Sequence, residues 1–181
     1  MSLLDDDIKE ILYTEEELRI KIREIGEKIS EDYEGKDLVL VGILKGSVPF
    51  MADLIKEIKV PCTLDFMAVS SYGNSTTTSG VVRILKDLDF QIENKDILIV
   101  EDIIDSGVTL SYLVDYLKRR NPSSINVACL LNKPERRKVE IYSKYIGFDV
   151  SDYFLVGYGL DYAEKYRNLP YVGILKEEIY S

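Results

Sequence analysis

The residues best suited to chemistry stand together in the middle of the chain: Glu101, Asp102, Asp105, Ser106, Gly107 and Thr109. The two hydroxyls, the flexible glycine and the free N–H groups of a following helix suit one phosphate monoester. The carboxylates would repel a phosphate, so they suit sugar hydroxyls or a metal ion. A phosphate at one end and hydroxyls at the other describe a ribose 5-phosphate.

The flanking sequence predicts elements that would hold this segment in place. Residues 97–100 form a continuous apolar run, which is typical of a strand buried on both faces. Apolar residues at helical spacing follow from Leu110 to Leu117, and residues 125–131 form another apolar run. Strand, helix and strand in succession predict parallel pairing with a right-handed crossover. Ligands of such sheets bind beyond the carboxyl ends of the strands, where residues 100–109 lie.

The rest of the chain continues this α/β pattern. A helix is predicted from the capping box at Thr14 onward, a strand at residues 38–43 and a helix from Phe50 to Ile58. Residues 62–72 and 81–88 read as strands on either side of a polar loop bounded by Gly73 and Gly80. Further strands are predicted around residues 153–156 and 171–175. The prediction is a single domain with an open, mainly parallel sheet flanked by helices and a flexible antiparallel loop.

Composition excludes several classes of function. The net charge of −9 disfavours nucleic acid and anionic membranes as partners. The chain has no histidine, which excludes Ser-His-Asp triads, and its two cysteines form no CxxC pattern. No apolar run reaches the ~20 residues of a membrane span and no secretory signal begins the chain, so we expect a cytoplasmic protein.

Each residue at the central segment also has a simple structural interpretation. Asp and Ser are common helix caps and Gly is common in turns. Lys45 and Lys133 on their own read as exposed lysines, and Phe154 and Leu155 as core residues. Residues 71–80 on their own read as an ordinary surface loop. The central segment points to function only as a whole run after a fully apolar strand.

Residues 100–109 resemble the phosphoribosyl pyrophosphate signature of type I phosphoribosyltransferases, within them the hypoxanthine–guanine branch. The resemblance extends over residues 38–175. It implies the type I fold with a small hood, built from the N-terminal segment and residues 150–175, and a lid at about residues 71–80. It further implies purine salvage: Mg²⁺-dependent transfer of phosphoribosyl to N9 of a 6-oxopurine, by a homodimer or homotetramer.

The resemblance also implies roles for individual residues. Phosphoribosyl pyrophosphate would be bound by Glu101, Asp102, Asp105, Ser106, Gly107, Val108 and Thr109, and its pyrophosphate by Leu44, Lys45, Gly46 and Arg167. Asp105 would be the general base near purine N7. The lid would carry Ser71 and Tyr72. The purine would contact Lys133, Phe154, Leu155 and Asp161, and Mg²⁺ would be held by Glu101, Asp102 and Asp161.

Two points depart from the pattern or leave it open. Relatives often have Lys or Arg where this chain has Val108, so that contact is expected through the backbone alone, and Asn132 before Lys133 could tune the pocket. Lys133 has only donors and favours a 6-oxo over a 6-amino purine, which disfavours adenine. A xanthine-preferring enzyme and a regulatory protein that senses phosphoribosyl pyrophosphate stay as alternatives.

Overall fold

A computed structural model of the chain describes residues 4–71 and 82–181. The elements in chain order are β1 (Ile8–Tyr13), α1 (Glu15–Asp32), β2 (Leu38–Leu44), α2 (Val48–Glu57), β3 (Cys62–Ser71), β4 (Val82–Lys86), β5 (Asp96–Ile104), α3 (Val108–Lys118), β6 (Ser124–Asn132), β7 (Tyr145–Asp149), β8 (Leu155–Val156), β9 (Val172–Leu175) and α4 (Glu177–Tyr180). Short 3-10 turns occupy Asp5–Asp7 and Pro134–Arg136. The predicted lid lies almost wholly outside the described residues, and Ser71 ends β3.

The main sheet has six strands in the order β4-β3-β2-β5-β6-β7. All its pairs are parallel except the edge strand β4, which runs antiparallel to β3. The predicted mainly parallel sheet with an antiparallel edge is therefore confirmed. This order puts the carboxyl ends of β2 and β5 side by side.

Cores on both faces explain the continuous apolar runs. Along β2, Leu38 and Leu40 pack with α1 and α2, whereas Val39 and Val41 pack with α3. Successive side chains of a strand point to opposite faces, so a strand covered on both sides must be apolar throughout. The same alternation places β5 at the centre of the molecule.

A separate antiparallel sheet of three strands, in the order β1-β9-β8, stands beside the main sheet. The strands predicted around residues 153–156 and 171–175 belong to this small sheet, as β8 and β9. Neither β1 nor β7, the last strand of the main sheet, was predicted. The small sheet joins the two ends of the chain.

The predicted N-terminal helix begins as expected. Thr14 accepts a hydrogen bond from the Glu17 backbone N–H at its hydroxyl, and the Glu17 carboxylate accepts one from the Thr14 backbone N–H. This reciprocal pair is the predicted capping box. Within the described residues, no helix is both long and apolar enough to cross a membrane.

Candidate active site

The central segment lies at the carboxyl end of β5, but the strand is longer than predicted. Glu101 and Asp102 lie within the last four residues of β5, which ends at Ile104, and Asp105 is the first residue after it. Gly107 is the cap residue of α3 with φ +80°, a left-handed conformation that glycine adopts without strain. The chain therefore turns sharply from strand to helix, and the first N–H groups of α3 have no helical carbonyl to donate to.

A cavity of about 280 Å³ opens over this turn. Its lining is formed by Ile43, Leu44, Gly46, Val69, Glu101, Asp102, Ile103, Ile104, Asp105, Ser106, Gly107, Thr109 and Leu110. We call it the acidic pocket. It brings together most of the residues predicted to bind phosphoribosyl pyrophosphate. Val108 is the first residue of α3, and its backbone N–H donates to the Ser106 hydroxyl over 3.4 Å.

The two acids at the end of β5 are crowded. Burial raises the pKa of Glu101 well above its ordinary value, and the charge of Asp102 raises it further. Burial likewise raises the pKa of Asp102, although the Ile103 N–H donates to its carboxylate over 2.8 Å. Two neighbouring carboxylates that are costly to ionise fit a divalent cation, which would compensate their charge. Among the described residues, no three acidic or cysteine side chains form a complete metal site on their own.

The loop after β2 closes the acidic pocket from the other side. The Leu44–Lys45 peptide bond is cis. A Cβ on Gly46 would collide with the Asp102 carboxylate, and a Cβ on Gly159 would collide with the Gly46 carbonyl. Both glycines are therefore required for the close approach of three segments, and this approach places the backbone of Gly46 against Asp102.

The two cations predicted to bind pyrophosphate are paired within the protein. Lys45 Nζ lies 2.8 Å from a Glu164 carboxylate oxygen, and an Arg167 guanidinium nitrogen lies 3.3 Å from the other. The same nitrogen of Arg167 lies 2.9 Å from Asp161, and Arg167 also donates to the Gly159 carbonyl over 2.7 Å. Asp161 therefore contacts Arg167, and the Glu164 backbone N–H donates to it over 2.9 Å.

A second cavity, of about 380 Å³, adjoins the first and shares Ile103 and Asp105 with it. The cavity is lined by Ile103, Asp105, Lys133, Arg136, Asp152, Tyr153, Phe154, Leu155, Leu160, Asp161 and Tyr180. We call it the aromatic pocket. All four residues predicted to contact the purine line it.

Lys133 is buried in the wall of the aromatic pocket. Its ammonium donates to the Tyr153 carbonyl over 2.6 Å and lies 3.6 Å from Asp152. An ammonium has three hydrogens, so this arrangement leaves others for a ligand acceptor. Asn132 next to it contacts Asp149 and Arg137 instead, so it supports the neighbouring strand and does not line the pocket.

Asp105 contacts a residue that the sequence did not single out. Arg136 Nε donates to its carboxylate over 2.7 Å, and another nitrogen of Arg136 lies 3.1 Å from Asp152. A chain of alternating charges thus runs from Asp105 through Arg136 and Asp152 to Lys133. This chain of contacts connects Asp105 to Lys133 along the lining of the aromatic pocket.

Comparison with known proteins identifies the family. The profile of the phosphoribosyl transferase domain matches residues 9–163. The chain belongs to this family. A hypoxanthine-guanine phosphoribosyltransferase of Streptococcus agalactiae is 56% identical over 179 residues, which are 99% of each chain. The enzyme of that name from Bacillus subtilis is 53% identical over 178 residues, 98% of this chain and 99% of its own.

A solved structure supports the same fold. The crystal structure of a hypoxanthine phosphoribosyltransferase from Staphylococcus aureus matches with a TM-score of 0.97 and 52% identity, over 99% of this chain and 98% of its own. The main sheet, its helices and the strand–turn–helix at Gly107 are therefore those of a type I phosphoribosyltransferase.

Sequence reasoning missed Arg136, Asp152, Glu164 and Tyr180, which line the pockets or contact predicted site residues. Arg136 stands 31 positions after Asp105, and Glu164 stands 119 after Lys45. No local pattern marks such contacts. The only available signal was the density of charge in the loops that follow β6 and β8.

Proposed function

We propose that the protein transfers the 5-phosphoribosyl group of phosphoribosyl pyrophosphate to N9 of hypoxanthine or guanine and releases pyrophosphate, a reaction of purine salvage. The observation that carries the proposal is the pair of adjoining pockets that share Ile103 and Asp105. The acidic pocket suits a sugar phosphate and the aromatic pocket suits a flat base. Their common wall brings the anomeric carbon and N9 together.

In the acidic pocket, the 5-phosphate is bound by the turn after β5. Its hydrogen-bond donors are the backbone N–H groups of Gly107, Val108 and Thr109 and the hydroxyls of Ser106 and Thr109. The positive end of the α3 dipole adds to their attraction for the phosphate. Glu101 and Asp102 accept from the ribose hydroxyls. Lys45 and Arg167 bind the pyrophosphate, and Leu44 and Gly46 shape the loop around it.

Glu101 and Asp102 would also hold Mg²⁺, with Asp161 nearby and with oxygens of the substrate completing its coordination. When bound, Mg²⁺ would neutralise charge on the leaving pyrophosphate. Lys45 and Arg167 stabilise the same charge from the protein side, as fixed cations do for a charge that develops in a transition state.

In the aromatic pocket, the purine rests against Phe154 with its 6-oxo group facing Lys133. Leu155 is buried and offers its backbone to the opposite edge of the base. N9 forms a bond to the anomeric carbon while the bond from that carbon to pyrophosphate breaks. The electron pair leaves with pyrophosphate and the N7 proton passes to Asp105. Positioning supplies much of the rate.

Four features complete the proposal. They are a lid formed by residues 71–80 with Ser71 and Tyr72, a hood formed by the small sheet, a cytoplasmic location, and assembly as a homodimer or homotetramer. A lid and a hood fit the chemistry, because an oxocarbenium-like sugar must be protected from water.

A spectrophotometric assay with phosphoribosyl pyrophosphate and Mg²⁺ tests the function. We expect inosine and guanosine monophosphate to form from hypoxanthine and guanine, and adenine to be a poor substrate because Lys133 offers only donors to its 6-amino group. Preferential use of xanthine would favour the xanthine-specific alternative. Binding of phosphoribosyl pyrophosphate without turnover of any base would favour the regulatory one.

A further inference from the structure

The C-terminal helix brings one aromatic ring onto another at the aromatic pocket. The rings of Tyr180 and Phe154 are stacked, with their centroids 4.6 Å apart and an angle of 21° between their planes. Tyr162 meets Phe154 edge-on, with centroids 5.6 Å apart and an angle of 86°. Both Phe154 and Tyr180 line the pocket. Tyr180 therefore stacks on Phe154, the ring against which we propose that the purine stacks.

The chain end is anchored on both sides of this stack. The Leu175 N–H donates to the Phe154 carbonyl over 2.9 Å, and the Lys176 N–H donates to the Asp7 carbonyl over 3.0 Å. Lys176 Nζ also donates to the Asp6 carbonyl over 2.5 Å. These bonds fix the start of α4, and its single turn then returns Tyr180 to Phe154.

A ligand that stacks on Phe154 must use the ring face that Tyr180 does not cover. A flat ring has two faces, and Tyr180 covers one of them. The pocket retains about 380 Å³ of free space with Tyr180 in this position, so the tyrosine does not fill it. Offset-stacked rings attract each other, and each added layer restricts the tilt of the one beneath.

We propose that Tyr180 is a positioning residue for the purine: its ring backs Phe154 and fixes the plane against which the base stacks. This role rests on the proposed function, because it needs a flat base in the aromatic pocket. Tyr180 acts through Phe154 and contacts neither reacting atom. It therefore affects purine binding, while phosphoribosyl pyrophosphate in the adjoining pocket is bound as before.

The test compares Michaelis constants for the two substrates. We expect Tyr180→Ala to raise KM for hypoxanthine by about three- to ten-fold, the worth of one aromatic pair. KM for phosphoribosyl pyrophosphate should stay unchanged, and so should kcat, because the ground state and the transition state lose the same binding energy for the purine. Tyr180→Phe should restore the wild-type KM. Tyr180→Leu, which keeps the apolar cover without a flat ring, should behave like Tyr180→Ala.

Tyr142→Ala is the matched control, since Tyr142 is 76% exposed and lines neither pocket. An unchanged or lower KM for hypoxanthine in Tyr180→Ala would overturn the proposal, and a lower one would mean that Tyr180 blocks the site. A wild-type KM in Tyr180→Leu, or an equal rise for both substrates, would also overturn it. Wild-type protein inactive with every base would instead refute the proposed function itself, and the role of Tyr180 with it.

Discussion

Asp105 stands on the wall between the two pockets and hydrogen-bonds Arg136 through one carboxylate oxygen. The other oxygen is the one that can take a proton from the purine. We predict that Asp105→Asn lowers kcat by about two to four orders of magnitude, the usual contribution of a general base. The purine KM should change far less, because the amide keeps the shape and the acceptor for Arg136. Steady-state kinetics with hypoxanthine measure both.

Asp115→Asn serves as the control for this substitution, because Asp115 is on the exposed side of α3, 3.8 Å from Lys118. It should leave both constants unchanged. Near-normal turnover of Asp105→Asn would exclude Asp105 as the base and turn attention to Lys133, another ionic group that lines the aromatic pocket.

Glu164 pairs with the two cations that we propose to bind pyrophosphate, so we expect it to compete with the substrate for them. Its carboxylate lies 2.8 Å from Lys45 and 3.3 Å from Arg167, and these hydrogen bonds hold its pKa below the ordinary value. We predict that Glu164→Gln lowers KM for phosphoribosyl pyrophosphate by about two- to five-fold, a modest effect because the pairs are exposed. The exposed Glu27 of α1 supplies the control Glu27→Gln. An unchanged or higher KM would show that Glu164 assists binding instead of opposing it.

The contiguous part of the site could be predicted from sequence, and the dispersed part could not. Glu101 to Thr109 lie in one turn, so their types and order already describe a ligand. The contacts of Arg136 with Asp105, of Glu164 with Lys45 and of Tyr180 with Phe154 join residues far apart along the chain. As isolated residues, Arg136, Glu164 and Tyr180 look like any surface charge or terminal aromatic. Their positions depend on the fold.

At the scale of elements, one hydrogen bond ties α2 to the loop that carries Gly159. The hydroxyl of the buried Tyr158 donates to Asp53 over 2.6 Å, and Lys56 donates to the same carboxylate. Burial alone would raise the pKa of Asp53, but the hydrogen bonds from Lys56 and Tyr158 outweigh it, and the pKa lies below its ordinary value. The contact thus holds Gly159 against the loop after β2.

We predict that Asp53→Asn lowers the free energy of unfolding at pH 7 by about 1 kcal/mol, and Tm by about 2 to 4 °C. The folded protein holds fewer protons at Asp53 than the unfolded chain does. The stabilisation is therefore present above the unfolded pKa of about 4 and is lost as pH falls through the lower folded pKa. The thermal unfolding curves of the two proteins should converge as the pH falls below the unfolded pKa of about 4 and through the lower folded pKa of Asp53. A difference in Tm that does not vary with pH would contradict this account.

The elements that could be predicted are those whose own pattern of apolar residues reveals which faces are buried. β2 and β5 are apolar on both faces because helices cover both, so they stand out as continuous runs. β1 has mostly exposed or half-buried residues without alternation, and it becomes a strand only by pairing with β9 at the other end of the chain. β7 is an edge strand whose mixed burial gives neither a continuous apolar run nor a regular alternation.

At the scale of the whole molecule, the aspartates at residues 5–7 hydrogen-bond the C-terminal part of the chain. Tyr171 donates to the Asp5 carboxylate over 2.5 Å and Tyr166 donates to that of Asp7 over 2.7 Å. Burial and then these hydrogen bonds raise the pKa of both tyrosines to about 12. The three neighbouring aspartates thus accept hydrogen bonds from two tyrosine hydroxyls and one lysine.

We predict that the double substitution Asp5→Asn and Asp7→Asn lowers Tm by about 3 to 6 °C, because two charge-assisted hydrogen bonds become neutral ones. Asp6→Asn should leave Tm unchanged, since Asp6 contacts Lys176 through its backbone carbonyl. Calorimetry of the three proteins measures the difference. A loss in Asp6→Asn about half that of the double variant would attribute the effect to net charge and not to these bonds.

The two pockets meet at a wall of only two shared residues, Ile103 and Asp105. A molecule that fills one pocket can therefore carry a second group into the other by a link of very few atoms. Such a molecule loses translational and rotational entropy once, whereas two separate ligands lose it twice. Its second group therefore binds at a high effective concentration. For inhibitor design, a short bridge between a base and an acidic group is worth more here than further contacts within either pocket.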